Sequence, residues 1–439
     1  MLDEHFFRRR AAQRTPARIQ FLLESIAALT SALERAGSRL IVVGGRSVDV
    51  VPQLAQRWKV DRVVAQSWVA PVGRARDRKV ASRLHVPLQL FDTETLCPPA
   101  FLRTGAGEPY SVFSAFARAF RREVRVGTPL AAPRRLPPVP REVRTRSLAL
   151  PTLASLGIAR NAAVAAGGEA AANYRMKSWL AGRAQDYDEL RNRLDLAGTS
   201  RLSADLKFGT LSVRSLWHAA ERRLQEHSPD ALRVFQDELL WREFAHSTLF
   251  DRPTLLEQPF RPAWRGFPWR DDEAAWQAWV EGTTGYPVVD AAARQLGATG
   301  FVHNRARMIA ASFLAKHLLI DFRRGECHYF EKLVDGDWAN NDAGWQWSAG
   351  CGCDAQPWFR IFNPVTQGQK FDPQGEYVRR WVPELAQLPA RYIHAPHTAP
   401  AEVLAAAGVS IGRNYPRPIV DHTDARRRFI ATARKHLRS

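Results

Sequence analysis

The most informative segment of the chain is Asp335-Gly-Asp-Trp-Ala-Asn-Asn-Asp-Ala-Gly-Trp-Gln-Trp347. Acidic side chains, amides, glycines and tryptophans are crowded together in it. This mixture is typical of a closed pocket for a flat ligand with polar edges, because aromatic rings stack on the ligand while carboxylates and amides bind its edge. Immediately upstream, residues 301–322 carry apolar side chains at helical spacing, which predicts one helix there.

The same segment has two simpler interpretations. Asp335 and Asp337 could open a calcium-binding loop, but that loop requires glycine at its sixth position and glutamate at its twelfth. Asn340 and Gln346 occupy those positions, so a calcium loop is excluded. The tryptophans could instead be ordinary core residues and the acids helix caps, and the residues alone leave this alternative open.

The composition is that of a strongly basic protein with enough residues for two or three domains. The 439 residues include 63 Lys and Arg against 44 Asp and Glu, a formal net charge of +19. Such a protein usually binds a polyanion, with nucleic acid the leading candidate, although a solvated basic surface without a partner gives the same count. No apolar run approaches the roughly 20 residues of a membrane span. The N-terminus lacks the apolar region of a secretory signal, which predicts a cytoplasmic protein.

The four cysteines have no regular metal-binding spacing. Cys351 and Cys353 are separated by one residue, and Cys97 and Cys327 are isolated in the sequence. A four-cysteine cluster would require them to converge from three places. We therefore predict free thiols and no metal.

Composition divides the chain into three parts. Residues 1–127 alternate helical patterns, including one at 16–36, with short Val/Ile/Leu runs at 39–43, 61–65 and 86–91. This alternation predicts an α/β domain with a parallel sheet. Residues 128–165 are rich in proline and arginine, as in an extended linker. Residues 166–439 have helical periodicity and most of the tryptophans, which predicts a large all-α domain.

Several motifs follow one another in the C-terminal part. They are Tyr187-Asp-Glu-Leu-Arg191, Thr199-Ser-Arg-Leu-Ser203, Glu238-Leu-Leu-Trp-Arg-Glu-Phe244, Thr284-Gly-Tyr-Pro-Val-Val-Asp290, His303-Asn-Arg-Ala-Arg-Met308 and the opening segment with Trp345-Gln-Trp347. In this order they closely resemble the photolyase/cryptochrome family, specifically class I cyclobutane pyrimidine dimer DNA photolyases. Residues 16–127 resemble the family's N-terminal α/β antenna domain more loosely.

The resemblance implies a light-dependent DNA-repair enzyme, a deoxyribodipyrimidine photo-lyase with FAD as its cofactor. Such an enzyme splits a flipped-out pyrimidine dimer by electron transfer from excited reduced FAD. Its implied partner is DNA that contains pyrimidine dimers, and the implied state is a monomer. A cryptochrome-like blue-light photoreceptor is the alternative. A basic DNA-binding module without flavin would leave the motifs around Thr199 and Asp335 unexplained.

The resemblance also assigns residues to the cofactor. Tyr187 and the turn formed by Thr199, Ser200, Arg201, Leu202 and Ser203 would hold the FAD phosphates, since a turn that opens a helix binds anions. A plain helix cap at Thr199 and Ser200 is the alternative. The residues implied at the flavin ring are Arg242, Arg307, Asp335, which would pair with Arg307, Asp337 and Asn341. Plant cryptochromes have an acid and animal ones a cysteine at the place of Asn341, so the amide favours repair.

The lesion pocket follows from the same resemblance. Trp241 and Trp347 would be its apolar walls, Glu238 and Asn304 would bind the thymine edges, Met308 would pack against the lesion and Arg191 would lie at the rim. Enzymes that repair (6-4) photoproducts have two histidines one helical turn apart in this pocket. Asn304 and Met308 occupy those places, so (6-4) repair is not expected.

The sequence departs from the family pattern in the electron relay to flavin. Trp345 and Trp269 occupy the inner and outer places of the usual three tryptophans, but Phe322 fills the middle one. Phenylalanine is much harder to oxidise than an indole ring. We therefore hypothesise that Trp338, an additional tryptophan, bridges the gap.

Two further departures concern the N-terminal domain. The family normally begins with strands that precede the helix at residue 16, and this sequence does not match them. Either the true start lies upstream of Met1 or the antenna domain is curtailed at its N-terminus. Residues that bind a folate antenna in relatives are not matched, because Val72-Gly73 replaces Asn-Glu and Leu256-Glu257 replaces Cys-Lys. A folate antenna is therefore not expected, and the identity of any other antenna stays open.

Overall fold

The structure is a computed structural model that describes residues 1–3, 7–143 and 145–438. Two compact units are present, each built from several chain segments. Unit one comprises Met1–Gln185, Ser200–Pro253 and Val334–Ala339, and unit two comprises Asp186–Thr199, Thr254–Leu333 and Asn340–Ser439. The sequence predicted continuous domains, 1–127 and 166–439, joined by a linker, whereas each of these units combines separate segments. The predicted domain boundaries stay a prediction.

Unit one contains a parallel pair of strands, β1 (Val63–Gln66) and β2 (Leu88–Phe91). Val63 pairs with Leu88, and the register continues to Gln66 and Phe91. Helix Pro71–Ala81 connects the two strands, as a parallel pair requires a crossover connection. The predicted parallel sheet is therefore confirmed, with slightly shorter strands.

The predicted strand at residues 39–43 is wrong. In the described residues this segment forms no ladder: Leu2 makes a single parallel bridge with Gly44. On the other side, the Leu148 N–H donates to the Val42 carbonyl oxygen at 2.8 Å. A strand requires successive bonds to a neighbouring strand, and only isolated bonds are available here. The branched side chains that suggested a strand therefore lie in extended chain.

Helices form most of the remainder of unit one. Helix Pro16–Arg35 begins with proline at its first turn and buries Ile19, Phe21 and Leu23, as the predicted apolar face requires. The other helices of this unit are Arg9–Arg14, Ser47–Trp58, Phe113–Glu123, Glu169–Ala181, Ser203–Phe208, Val213–Leu224 and Pro229–Asp251, with a 3₁₀ turn at Arg183–Asp186 that ends at the first residue of unit two.

The regular elements in the described residues of unit two are helices, apart from one isolated bridge between Ile411 and Tyr415, which confirms the predicted all-α character of this part. Its α-helices are Tyr187–Leu190, Glu273–Glu281, Pro287–Thr299, Asn304–Ser312, Phe322–Lys332, Trp338–Ala349 (whose first residues belong to unit one), Pro364–Phe371, Glu376–Trp381, Ala390–Ile393, Ala401–Ala406 and His422–Arg438. Short 3₁₀ turns lie at Pro253–Leu256, Pro262–Trp264, Pro383–Leu385 and Pro396–Thr398. No helix in the described part of the chain combines the length and apolarity needed to cross a bilayer.

The single helix predicted over residues 301–322 is also wrong. Helix Asn304–Ser312 passes into a π-helical turn at Phe313–His317, and a new helix begins at Phe322. Leu319 adopts a left-handed backbone conformation, with φ +58°, and the Asp321 side chain accepts the Arg323 N–H as an N-cap. The apolar side chains keep helical spacing across this break, which is why their pattern suggested one helix.

The motif that ends at Asp290 forms a buried hydrogen-bond node in unit two. Asp290 accepts the Thr284 N–H at 2.7 Å, the Thr284 hydroxyl at 2.6 Å, the Gly285 N–H at 3.1 Å and the Tyr415 hydroxyl at 2.7 Å. Gly285 has φ +78°, and an added Cβ would meet the backbone of Arg417 at 2.5 Å. This motif is therefore a structural element of the fold.

Gly325 sets the position of Trp345 in the core of unit two. A Cβ on Gly325 would overlap the Trp345 ring and lie 2.5 Å from Leu314 Cδ2. We expect Gly325→Ala to destabilise the protein by about 1–3 kcal/mol, because overpacking forces neighbouring groups to move. Denaturant unfolding followed by tryptophan fluorescence measures the change.

A matched control for that substitution is Gly297→Ala. Gly297 is also helical, but it is exposed and an added Cβ would meet nothing within 4 Å. This change is expected to stabilise by about 0.5–1 kcal/mol, because alanine loses less backbone entropy on folding. If both variants unfold at the same denaturant concentration, the packing role of Gly325 is wrong.

Candidate functional site

The residues of the predicted site are divided between the two units. Unit one contains Ser200, Arg201, Leu202, Ser203, Glu238, Trp241, Arg242, Asp335, Asp337 and Trp338. Unit two contains Tyr187, Arg191, Thr199, Trp269, Asn304, Arg307, Met308, Asn341, Trp345 and Trp347. Each unit therefore carries residues assigned to the cofactor and residues assigned to the lesion.

The turn predicted to hold phosphates precedes a short helix in unit one. Arg201 has φ +53°, an uncommon left-handed conformation for a residue with a side chain. Helix Ser203–Phe208 follows, and no side chain caps its N-terminus at Leu202. Leu202 itself supplies no side-chain cap, so the choice between a phosphate-binding turn and a helix cap at Thr199 and Ser200 stays a prediction.

One helix carries three predicted site residues in unit one. Glu238, Trp241 and Arg242 lie on neighbouring turns of Pro229–Asp251, and each is half-buried. Phe113 stacks on Trp241 with ring centroids 3.8 Å apart and an interplanar angle of 7°. Phe113 thus covers one face of the Trp241 indole and fixes the orientation of that ring. Nothing in the sequence indicated this contact.

Arg242 belongs to a buried charged group. The sequence predicted Arg242 as a site residue but gave no role to its partner Glu243. Its Nη1 is 3.3 Å from Glu243 Oε1, and Glu243 Oε2 accepts the Leu96 N–H at 2.7 Å. Burial raises the pKa of Glu243, although Arg242 and the backbone bonds oppose this. The Glu243 carboxylate therefore ties the helix to the chain that follows β2.

Asp337 lies in a second charged group of unit one. His246 Nε2 is 3.7 Å from Asp337 Oδ2 and 3.6 Å from Glu94 Oε1. Lys207 Nζ is 3.9 Å from Asp337 Oδ2. Neither Glu94 nor His246 belongs to a motif with a recognisable spacing, so nothing in the sequence could have indicated this cluster.

In unit two, Asn304 and Met308, which are both predicted to contact the lesion, share a face of one helix. Asn304 Nδ2 is 3.7 Å from Met308 Sδ, one turn along helix Asn304–Ser312. Arg307 on the same helix donates from Nε to the Val302 carbonyl oxygen at 2.8 Å. Asn304 and Met308 thus lie one turn apart on the same helix, and their contacts with a lesion stay a prediction.

Asn341 is oriented by a backbone contact. Its Nδ2 donates to the Glu326 carbonyl oxygen at 3.0 Å, which leaves Oδ1 as its acceptor for a further group. Burial and repulsion from Asp342 raise the pKa of the Glu326 carboxyl, and burial raises the pKa of Asp342 as well. This neighbouring pair of carboxyls was not anticipated from the sequence.

The aromatic contacts of unit two bear on the predicted electron relay. Trp345 is buried, with ring centroids 5.2 Å from Tyr329 and 6.0 Å from Trp279. Trp269 contacts Phe322, the residue at the middle place, at 6.2 Å. The relay roles of Trp345, Trp269 and Trp338 stay predictions.

Unit two also contains an open cleft with several cationic side chains. Its volume is about 350 Å³, and its lining includes Arg305, Arg360, Asn363, Thr366 and Lys370. Arg305 Nη2 donates to Asn192 at 2.6 Å. The Arg360 backbone carbonyl accepts the ammonium of buried Lys316 at 3.0 Å. The first bond holds the Arg305 guanidinium group in place, and the second anchors the backbone of Arg360. Guanidinium groups are suited to binding phosphate oxygens.

The side chains in both units fit FAD by their chemistry. The uncapped helix start after Arg201 offers N–H groups to phosphates. Arg242 and Asp337 are charged groups with little exposure, at 11% and 13%, and suit the polar edge of an aromatic ring. The Asn341 amide offers an oriented acceptor.

Comparisons with known proteins agree with this chemistry. Residues 235–435 match the FAD binding domain of DNA photolyase, and residues 1–137 match the DNA photolyase family model. A deoxyribodipyrimidine photo-lyase from Agrobacterium fabrum is 40% identical over 94% of this chain and 87% of its own length.

Solved structures give the same result. A bacterial class III photolyase from Agrobacterium tumefaciens superimposes with a TM-score of 0.91 at 38% identity, over 97% of this chain and 90% of that one. A cryptochrome from Synechocystis gives a TM-score of 0.88 at 31% identity, over 98% and 92%. The chain belongs to the photolyase/cryptochrome family. Within it, this protein is a DNA photolyase, a DNA-repair enzyme with FAD as its cofactor.

Proposed function

We propose that the substrate is the cyclobutane pyrimidine dimer and that the protein is a class I photolyase. The observation that carries this proposal is the arrangement on helix Pro229–Asp251. Glu238 lies one turn from Trp241, whose ring is held by Phe113 at 3.8 Å. A fixed aromatic wall beside a carboxylate suits a thymine dimer, which has flat apolar faces and polar edges. The Agrobacterium tumefaciens structure is of class III, which is the competing class.

Bound FAD in its reduced form supplies the light-driven electron. The residues proposed to hold it are Tyr187 and the turn from Thr199 to Ser203 at the phosphates, and Arg242, Arg307, Asp335, Asp337 and Asn341 at the ring. The arginines would offset negative charge on the ring, and Asp337 would bind its edge. Asn341 would offer its Oδ1 to the ring without adding charge, since its Nδ2 is bonded to the Glu326 carbonyl oxygen.

A cryptochrome-like photoreceptor is the second candidate, because a cryptochrome is among the similar structures. The proposed lesion residues Glu238, Trp241, Asn304, Met308 and Trp347 favour repair. Illumination of the reduced protein with an oligonucleotide that contains a thymine dimer distinguishes the two. Bound flavin without restored thymine absorbance would indicate the photoreceptor.

The proposed role of Glu238 is to stabilise the negative charge that develops on the dimer. Glu238→Ala is expected to lower the repair yield per absorbed photon by roughly 10-fold, because a hydrogen bond to a charged group contributes about 1.5–3 kcal/mol. Lesion affinity should fall by less. Repair yield under limiting light and affinity by fluorescence anisotropy are measured in parallel, and a wild-type yield would contradict the role.

The cationic cleft of unit two is proposed to contact DNA phosphates. Arg360→Ala should weaken binding to all sequences alike and reduce the slope of log affinity against log salt by about one, the contribution of one phosphate contact. Arg434→Ala, on the exposed face of helix His422–Arg438, is the control and should leave the slope unchanged. Equal slopes for the wild type and Arg360→Ala would exclude Arg360 as a phosphate ligand.

Three further properties belong to this proposal. A cytoplasmic location and a monomeric state are proposed from the sequence. A cavity of about 300 Å³ in unit one, lined by Trp68, Arg74, Asp77 and Phe250 among others, lies beside β1 and β2. Ligands of parallel sheets commonly bind beyond the carboxyl ends of the strands, so this cavity is the proposed place for any antenna.

A further inference from the structure

A buried histidine in unit one faces two carboxylates. His246 is 1% exposed, and its Nε2 lies 3.6 Å from Glu94 Oε1 and 3.7 Å from Asp337 Oδ2. Its other ring nitrogen, Nδ1, is 2.8 Å from the carbonyl oxygen of Arg242 on the preceding turn. Glu94 belongs to the chain that follows β2, so the three side chains come from distant parts of the sequence.

The hydrogen bond at Nδ1 restricts the protonation of the ring. A carbonyl oxygen can only accept, so Nδ1 must carry a proton in order to donate to Arg242. In a neutral ring, Nε2 would then direct a lone pair at two carboxylates, which is repulsive in a buried site. Either a proton between Nε2 and a carboxylate or a bound metal ion between the three side chains would remove this repulsion.

The surrounding charges favour the proton. Lys207 Nζ is 3.9 Å from the same Asp337 oxygen, and Arg242 is adjacent, so a divalent ion would be placed among cationic side chains. Burial and Arg242 oppose a proton on His246, but Asp337 and Glu94 outweigh them and raise its pKa.

The neighbouring groups agree with this assignment. Burial opposes ionisation of Glu94, yet the bond from His246 outweighs it and the pKa of Glu94 is lowered. Burial lowers the pKa of Lys207, with Asp337 acting in the opposite direction. Glu243, which lies three residues before His246 on the same helix, is bonded to the Leu96 N–H and to Arg242.

We propose that His246 is a buried imidazolium that joins Glu94 to Asp337 and acts as a positioning residue for the Asp337 carboxylate. This proposal rests on one part of the proposed function, namely the contact of Asp337 with the polar edge of the flavin. The imidazolium fixes this carboxylate and adds a positive charge behind it. That charge favours additional negative charge on a ligand bound at Asp337.

The protonation state is tested directly by nuclear magnetic resonance of the flavin-containing protein labelled with ¹⁵N-histidine. His246→Asn identifies the resonances. Both ring nitrogens of His246 should be protonated at pH 7.5, where a histidine with the ordinary pKa of about 6.5 is mostly neutral. In Glu94→Gln the proton should be lost at a lower pH. A neutral ring, or an Nε2 resonance that shifts on addition of one equivalent of Zn²⁺, would overturn the proposal.

The raised pKa of His246 also determines how the stability of the folded protein should change with pH. The contribution of the imidazolium is complete below about pH 6.5 and is lost as the pH rises through the raised pKa of His246. The stability difference between the wild type and Glu94→Gln should therefore decrease at high pH. A difference that grows with pH would overturn the assignment.

The effect on the cofactor is tested by the midpoint potential of bound flavin. His246→Asn keeps a similar shape without the charge, and the potential should become more negative. His218→Asn is the control, because His218 is also in unit one but pairs with Glu221 at 3.0 Å. An unchanged potential in His246→Asn would overturn the positioning role. Absence of flavin from the wild type would contradict the proposed function, whereas a neutral His246 in a repair-active protein would contradict this inference alone.

Discussion

Replacing Asp290 with alanine is expected to lower the free energy of unfolding by about 3–5 kcal/mol, because several buried donors lose their acceptor together. Asp290 is fully buried and accepts four hydrogen bonds, from the N–H and hydroxyl of Thr284, the N–H of Gly285 and the hydroxyl of Tyr415. Water cannot reach these donors without opening the core. The loss should therefore exceed that of any single hydrogen bond.

The control for this experiment is Asp271→Ala, at an exposed position of the same unit. It should change the stability by no more than about 0.5 kcal/mol. Asp290→Asn should lie between the two, because the amide keeps one acceptor but directs its NH₂ group at other donors. Denaturant unfolding followed by circular dichroism measures all three. Similar stabilities for Asp290→Ala and Asp271→Ala would contradict the importance of the node.

The second large effect concerns the aromatic wall of the lesion pocket. Trp241→Ala is expected to weaken binding to an oligonucleotide containing a thymine dimer by roughly 10- to 100-fold, because base–aromatic stacking contributes about 1–3 kcal/mol. Binding to undamaged DNA should change little, since it depends on phosphates. Competition binding with damaged and undamaged oligonucleotides measures both affinities.

Phe113 provides a graded test of the same wall. It stacks on Trp241 at 3.8 Å, and Phe113→Leu should weaken lesion binding by a few-fold, as an aromatic pair contributes about 0.5–1.5 kcal/mol. Phe101→Leu is the control, because Phe101 is 54% exposed. If Trp241→Ala binds the lesion as tightly as the wild type, Trp241 does not form the wall.

The sequence could predict features in which neighbouring residues act together. The helical spacing of Asn304 and Met308 placed them on one face, and their side chains are 3.7 Å apart. The apolar face of helix Pro16–Arg35 was predicted for the same reason. In both cases, residues three or four apart meet on any helix, whatever the tertiary structure.

Features that depend on distant segments could not be predicted in this way. The apolar pattern over 301–322 continues through the π-helical turn, so it gave no indication of the break before Asp321. The segment 39–43 has the composition of a strand, but in the described part of the chain it forms no ladder with another strand. Glu94 and His246 are far apart in sequence and belong to no motif, and only the fold brings them together.

The central claim is that this protein uses bound flavin and light to repair pyrimidine dimers. The most direct measurement is the absorbance of thymine during illumination of the purified, reduced protein with an oligonucleotide that contains a dimer. We expect the absorbance to recover in the light, to remain low in the dark, and to require bound FAD. A protein that binds FAD and the oligonucleotide but restores no thymine absorbance in the light would contradict the account.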